Sequence, residues 1–149
     1  MSNKLFSDAN AVLGVIGPVS QGAGAVSTPW ISASQFATFA AVIKTGVLGA
    51  SATLDARLEQ ATTAAGAGVK DIVGKSITQI VKATGDNKQA IINLREEDLD
   101  LTLDYGFFRL TVTVGVAASL IDATVFGYAG RYEPASDYGA TSVAQVIYG

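Results

Sequence analysis

The chain has 149 residues and contains neither cysteine nor histidine. Its composition therefore excludes disulfides, thiol nucleophiles, zinc sites of the usual cysteine and histidine type, and histidine general bases. With 10 basic and 13 acidic side chains, the charge is sparse and nearly balanced. No basic stripe is present, and we expect no binding of nucleic acid.

We expect no membrane segment and no signal peptide. The apolar runs are far shorter than the ~20 residues that a membrane-spanning helix requires, and Asp8 and Asn10 interrupt the N-terminal apolar region. The low charge and the 16 glycines indicate either a surface partly covered by neighbouring subunits or the bland surface of a soluble monomer.

Residues 1–29 are predicted to form an extended N-terminal arm. Gly14, Gly17 and Pro18 punctuate a short apolar patch, and small, turn-forming residues follow up to Pro29. A disordered tail is the alternative interpretation.

Two strands are predicted in residues 30–62. Between residues 36 and 43, both faces of a strand would be apolar, although Phe36, Ala40 and Ile43 also fit helical spacing. In residues 51–62, apolar side chains at 54, 56 and 58 alternate with Asp55, Arg57 and Glu59 on a predicted solvent face. Composition favours a helix there, but the strict alternation favours a strand.

Residues 63–106 contain two more predicted strands, at 76–81 and 89–94. Residues 63–68 form a loop, residues 70–75 a short connection that turns at Gly74, and residues 83–88 a turn. The acidic segment 95–100 could offer oxygen ligands to a cation, but it lacks the spacing of a calcium loop. We interpret it as a solvated charged turn.

The clearest strand lies at residues 107–116, FFRLTVTVGV. Phe108, Leu110, Val112, Val114 and Val116 alternate with more polar positions, which predicts a half-buried antiparallel strand. Residues 120–128 are also strand-like, with Ile121, Ala123, Val125 and Gly127 on one face and Phe126 and Tyr128 opposite.

Residues 135–149 are predicted to form a C-terminal tail after Pro134, which ends sheet pairing. Tyrosine is favoured at interfaces, so Tyr132, Tyr138 and Tyr148 are candidate partner-binding residues, as is Trp30. The alternative is that the tail folds back on its own domain.

Short strands without a convincing long helix predict an all-β fold: an antiparallel β-sandwich, jelly-roll-like, over residues 30–134. The chain lacks a serine elbow, a dinucleotide-binding glycine motif and a phosphate-binding loop. We therefore expect a protein that is not an enzyme and that has no catalytic residues, metal site or cofactor.

Several core segments together resemble a family of small structural proteins of tailed bacteriophages and prophages. The segments are residues 49–62 (GASATLDARLEQAT), 66–79 (GAGVKDIVGKSITQ), 86–95 (DNKQAIINLR), 107–110 (FFRL) and 130–134 (GRYEP). The resemblance covers roughly residues 30–135. It lies in segments predicted to be strands and turns, not in a catalytic motif, so no functional residue can be carried over from it.

The resemblance implies a virion component assembled in the host cytoplasm, of the capsid decoration or minor capsid protein type. The expected partners are the major capsid protein or other virion proteins, together with further copies of the same chain in a homo-oligomer. A neck or tail component and a carbohydrate-binding β-sandwich module are the alternatives. A secreted or cell-surface module would require a processed N-terminus.

Overall fold

The computed structural model describes residues 3–148, which form two antiparallel sheets and a few short helices. The strands are β1 (Asn10–Gln21), β2 (Gly24–Ser27), β3 (Ile31–Ser32), β4 (Phe36–Thr45), β5 (Thr53–Ala61), β6 (Lys70–Ser76), β7 (Ile80–Val81), β8 (Gln89–Arg95), β9 (Phe107–Gly115) and β10 (Ser119–Gly130). The short helices are α1 (Phe6–Ala9) and α2 (Lys82–Gly85), with 3₁₀ turns at Glu96–Asp98, Leu101–Leu103 and Ala135–Tyr138.

The strands form a jelly roll. One sheet has the order β1–β10–β4–β8, and the other has the order β2–β9–β5–β6 with β3 beside β9 and β7 beside β5. The paired neighbours β1 with β10, β2 with β9, β4 with β8, and β5 with β6 are nested in sequence, as in a long hairpin rolled into two sheets. This arrangement confirms the predicted antiparallel sandwich of jelly-roll type.

The strand predicted most clearly, β9, lies in the middle of the six-stranded sheet between β2 and β5. Phe108, Leu110, Val112 and Val114 are at most 1% exposed and face the core. Val116 was expected to continue this face, but β9 ends at Gly115 and Val116 is 71% exposed with a φ of 74°. The alternation predicted the buried face correctly as far as Val114 but wrongly extended it to Val116.

The strands predicted around β4, β5, β8 and β10 are also present. Residues 54, 56 and 58 of β5 are buried, as are residues 121, 123, 125 and 127 of β10. The strand interpretation of residues 53–61 was therefore right, although composition favoured a helix. Packing of an apolar face outweighed local helix propensity there.

The interpretation of residues 1–29 as an arm outside the core was wrong for β1 and β2. β1 pairs with β10 along most of its length, and β2 pairs with residues 111–114 of β9. Ala11 and Ile16 are each 4% exposed and belong to the hydrophobic core. The sandwich therefore begins at residue 10, and residues 1, 2 and 149 lie outside the described residues.

The region between β5 and β8 differs from the expectation in detail. Residues 70–75, expected to be a connection, belong to strand β6, which pairs with β5 across a register shift. The strand expected at residues 76–81 is reduced to the two residues of β7. The turn predicted at residues 83–88 includes part of α2.

The C-terminal segment folds back on its own domain, the alternative that the sequence left open. Ala135 is fully buried, and the Ala140 N–H donates a hydrogen bond to the Val12 carbonyl at 2.7 Å. The segment therefore lies along the outer edge of β1. Residues 135–138 form a 3₁₀ turn at the start of this path.

Candidate functional site

The outer face of the six-stranded sheet is polar. Its cross-strand rows, written from one edge to the other, are Ser27–Thr111–Arg57–Ser76, Ala25–Thr113–Asp55 and Arg109–Glu59–Asp71. Arg57 forms ion pairs with both Glu59 and Asp71. This is the face expected of a sandwich sheet in contact with water.

Glu59 departs from the prediction that it would lie on a solvent face, because it is only 6% exposed. Burial opposes the charged form of its carboxyl group. The Thr111 hydroxyl, the Arg109 side chain at 3.0 Å and the charge of Arg57 outweigh that cost and hold the pKa of Glu59 below its usual range. Its neighbours on β9 cover a side chain that alternation alone places toward water.

The outer face of the four-stranded sheet is different, because its central rows carry no charge. The two central rows are Val15–Thr124–Val42–Ile91 and Val12–Phe126–Ala40–Asn93. Among residues 3–148, charged side chains occur only at the ends of this surface: Lys44 pairs with Asp122 at 3.4 Å on one side, and Arg95 lies on the other. We call these two rows the uncharged face.

Aromatic side chains border the uncharged face at the end nearer Arg95. The rings of Phe6 and Phe126 meet edge to face with centroids 6.1 Å apart. Phe6 is 66% exposed and Tyr128 is 55% exposed. With Thr38 and Arg95 they line an open groove of about 690 Å³. Aromatic groups around an apolar surface are typical of protein interfaces.

The structure brings together three of the four aromatic residues predicted to bind partners. Trp30 and Tyr138 line the same small pocket, and the rings of Tyr132 and Tyr138 are 5.8 Å apart. Tyr148 lies nearby, with its hydroxyl 3.1 Å from the Ser136 hydroxyl. That these residues contact a partner stays a prediction.

Trp30 is held in place by its neighbours. The Arg109 guanidinium lies 4.5 Å from the centroid of the Trp30 ring, so a cation–π contact occupies one face of that ring. A Cβ added to Gly66 would lie 2.4 Å from the indole nitrogen, so the loop at Gly66 covers the edge of the ring. Trp30 is therefore not a fully open stacking platform.

The pocket beside Trp30 contains an unsatisfied polar atom. Its volume is about 220 Å³, and its lining includes Trp30, Ser32, Gln35 and Tyr138. Gln35 Oε1 is buried and has no hydrogen-bond partner among residues 3–148.

The acidic segment 95–100, interpreted as a charged turn, contains the 3₁₀ turn Glu96–Asp98, and its carboxylates meet basic side chains. Asp98 accepts a hydrogen bond from the Arg95 N–H at 2.8 Å and lies 3.4 Å from Lys75. Asp100 pairs with Lys70, and Glu97 lies 3.4 Å from Arg95. Over residues 3–148, no group of three or more acidic side chains is arranged to hold a metal ion.

No helix within residues 3–148 has both the length and the apolar character needed to cross a membrane.

The uncharged face was not identifiable from the sequence as a surface. Phe126 and Tyr128 were predicted to share one face of a strand, which is correct. Their alignment with Val12, Ala40 and Asn93 depends on the pairing of strands that are distant in sequence. Only the register of the sheet reveals that two whole rows lack charge.

Comparisons with known proteins describe the chain at the level of its fold. No protein-family model and no curated protein matches the sequence. A chain of the Cowpea mosaic virus top component, a naturally occurring empty particle, is 8% identical with a TM-score of 0.42 over 89% of each chain. The N-terminal cellulose-binding domain of Cellulomonas fimi β-1,4-glucanase C is 13% identical, with a TM-score of 0.40 over 84% of this chain and 88% of that one.

A third structure, a family 35 carbohydrate-binding module from Clostridium thermocellum, is 12% identical with a TM-score of 0.40 over 79% of this chain and 97% of that one. Similarities this distant assign no function. The chain is a β-sandwich of a type found in structural proteins and in binding modules.

Proposed function

We propose that this protein is a non-enzymatic structural component of a bacteriophage virion, a capsid decoration or minor capsid protein that bridges adjacent capsid subunits. The observation that carries the proposal is the uncharged face. One sheet of the sandwich has a polar outer face suited to water, whereas the other has two central rows without a charge. The sequence resemblance to tailed-phage structural proteins supplies the virion context.

The size of the uncharged face supports repeated weak contacts. Two rows cover about 14 Å along each of four strands that are about 4.8 Å apart, so the face presents roughly 260 Å². A standard protein interface buries about 800 Å² on each partner, so this face alone is about a third of one. Many copies on a symmetric particle would turn such a contact into firm attachment through avidity.

The location of the protein in purified particles tests the proposal. Particles purified from a lysate of the strain that carries the gene are probed with an antibody against this chain, and bound antibody is located by electron microscopy. We expect label over the head surface. A protein absent from the particles contradicts the virion assignment, and label at the neck or tail contradicts decoration of the head.

A charge substitution tests the surface. Tyr128→Glu places a carboxylate beside the uncharged face, where Tyr128 is 55% exposed. We expect this variant to fold and to be depleted from particles by about tenfold or more. Val73→Glu is the matched control, because Val73 is 95% exposed on β6 of the other sheet. Equal incorporation of both variants would contradict the assigned surface.

Glycan binding is a second candidate function, and the aromatic lining of the pocket that Trp30 and Tyr138 share favours it. A sugar ring would stack on the side chain of Tyr138, which is 47% exposed. A glycan array probed with the wild-type protein and with Tyr138→Ala separates the two functions. Binding that Tyr138→Ala abolishes supports a carbohydrate-binding module, and an array without signal from either protein rejects it.

A further inference from the structure

The two edges of the four-stranded sheet are protected to different degrees. β1, at one edge, has register shifts between Val12 and Gly14 and between Ile16 and Val19, and it contains Pro18. Ala140 also bonds to the Val12 carbonyl from outside the sheet. These devices blunt an edge against further pairing. β8, at the opposite edge, has none of them and pairs with β4 in unbroken register from residue 89 to 95.

The hydrogen-bond pattern shows which backbone groups of β8 point outward. The Thr45 N–H donates to the Lys88 carbonyl at 2.8 Å, so the backbone groups of Lys88 face β4. Antiparallel pairing alternates, and residues 90, 92 and 94 therefore also face β4, while Gln89, Ile91 and Asn93 face away. β8 has no second strand neighbour among residues 3–148. The Arg95 N–H donates a hydrogen bond to the Asp98 carboxylate, so the unpaired stretch of β8 ends before Arg95.

The three outward residues are complementary to themselves. They read glutamine, isoleucine, asparagine, an apolar residue between two amides. Antiparallel pairing about a twofold axis at Ile91 places Gln89 opposite Asn93 of the second copy and Ile91 opposite its own equivalent. Each copy then satisfies the N–H and C=O groups of all three residues of the other.

The side chain of Ile91 supports the same arrangement. Ile91 is 61% exposed and ends the row Val15–Thr124–Val42 of the uncharged face. Pairing about Ile91 continues this row into the second copy, so the exposed isoleucine gains an apolar cross-strand neighbour. No charged residue lies between Lys88 and Arg95 to oppose the contact.

We propose that β8 is a docking edge for β8 of a second copy of this chain, which joins the two four-stranded sheets into one sheet of eight strands. The partner is a second copy because the edge is complementary to itself. The contact is closed, since both outer edges of the joined sheet are the blunted β1 strands. This dimer does not rest on the proposed virion function.

An introduced cysteine tests the contact, because the natural chain has none. Directly opposed residues in a hydrogen-bonded antiparallel pair have Cα atoms about 5.5 Å apart, within the range that a disulfide spans. We expect Ile91→Cys to form a linked dimer under mild oxidation at micromolar concentration, at least tenfold faster than Val73→Cys. Equal rates for the two variants overturn the proposed pairing.

Sedimentation velocity of the full-length chain provides the second measurement. We expect the wild-type protein to be dimeric and Ile91→Lys, which places two ammonium groups opposite each other, to dissociate at least tenfold more readily. Val73→Lys is the control and should remain dimeric. A wild-type protein that stays monomeric at concentrations up to the millimolar range overturns the proposal. It does so even if β8 then proves to pair with a strand of another protein. Absence from virions leaves this result unaffected.

Discussion

The Glu59 carboxylate accepts a hydrogen bond from Arg109 Nε at 3.0 Å, and the two residues are directly opposite each other on β5 and β9. Arg109 in turn lies over the Trp30 ring. The nearly buried carboxylate of Glu59 thus orients the guanidinium that holds the indole. A polar contact between the two central strands of the six-stranded sheet is linked to the aromatic pocket.

Glu59→Gln is expected to destabilise the protein by about 2 kcal/mol at pH 7, because hydrogen bonds to a charged group are worth about 1.5–3 kcal/mol. Urea unfolding followed by circular dichroism measures the change. Asp55→Asn is the control on the same strand, since within the described residues 3–148 the Asp55 carboxylate accepts a hydrogen bond only from the neutral Gln79 side chain. We expect less than about 0.5 kcal/mol for that variant. Similar losses for both would contradict a special role of Glu59.

The stabilisation by Glu59 should depend on pH in a defined direction. The pKa of this carboxyl group is lower in the folded protein than in the unfolded chain, since Thr111 and Arg109 outweigh the effect of burial. Its contribution is complete above the unfolded pKa of about 4.3 and is lost as the pH falls through the folded pKa. The stability difference between wild type and Glu59→Gln should be constant from about pH 6 to 7 and shrink below about pH 4. A difference that grows in acid contradicts this assignment.

Local alternation predicted the buried faces of β5, β9 and β10 because each of these strands has one face in the core. Leu54, Leu58 and Leu110 are at most 1% exposed, as their spacing indicated. The burial of Glu59 was not predictable in the same way. Its cover comes from Arg109 and Thr111, about fifty residues away in the chain.

The strand β1 was missed because the glycine and proline residues that interrupt its sequence are explained by contacts with other parts of the fold. A Cβ at Gly14 would lie 3.0 Å from the Ile31 side chain. Glycine therefore occupies this position because Ile31 packs closely against it. Pro18 lies in the register shift between Ile16 and Val19, where a strand at a sheet edge tolerates proline. Neither cause is visible in the local sequence, which resembles that of a flexible arm.

The candidate sites, too, were predictable only in the features that depend on local sequence. Aromatic residues in a glycine-rich tail predicted interface positions, but their grouping with Trp30 required the tail to fold back. The uncharged face depends on strand register, and the open edge at β8 depends on strand order. These are properties of pairing over long sequence distances, which composition and periodicity do not contain.

Gly66→Ala is expected to displace Trp30. Gly66 has a φ of 86°, which costs an alanine about 1–2 kcal/mol, and the added methyl group would meet the indole nitrogen at 2.4 Å. Because Trp30 is the single tryptophan of the chain, a shift of the emission maximum to longer wavelength reports its exposure directly. Gly22→Ala is the control, since no atom of residues 3–148 lies within 4 Å of the added methyl group. Emission unchanged by Gly66→Ala would contradict this packing.

Ile16→Ala tests the inclusion of β1 in the core. Ile16 is 4% exposed, and removing such a side chain should cost about 2–5 kcal/mol in unfolding free energy. Val19→Ala is the control on the same strand, because Val19 is 42% exposed and its truncation should cost less than about 0.5 kcal/mol. Deleting residues 1–29 should prevent folding altogether, since it removes both β1 and β2. A folded protein after this deletion would restore the interpretation of these residues as an arm.

The C-terminal segment is expected to protect the edge of β1. Its contact is the hydrogen bond from the Ala140 N–H to the Val12 carbonyl. A chain that ends at residue 138 should keep a folded sandwich by circular dichroism, because the side chains of residues 141–145 are exposed. With its edge uncovered, β1 can pair with other chains, and light scattering should detect species larger than those of the full-length protein. A chain that ends at residue 145 keeps Ala140 and should behave like wild type. Equal scattering from the two truncated chains would show that Pro18 and the register shifts of β1 suffice to blunt this edge.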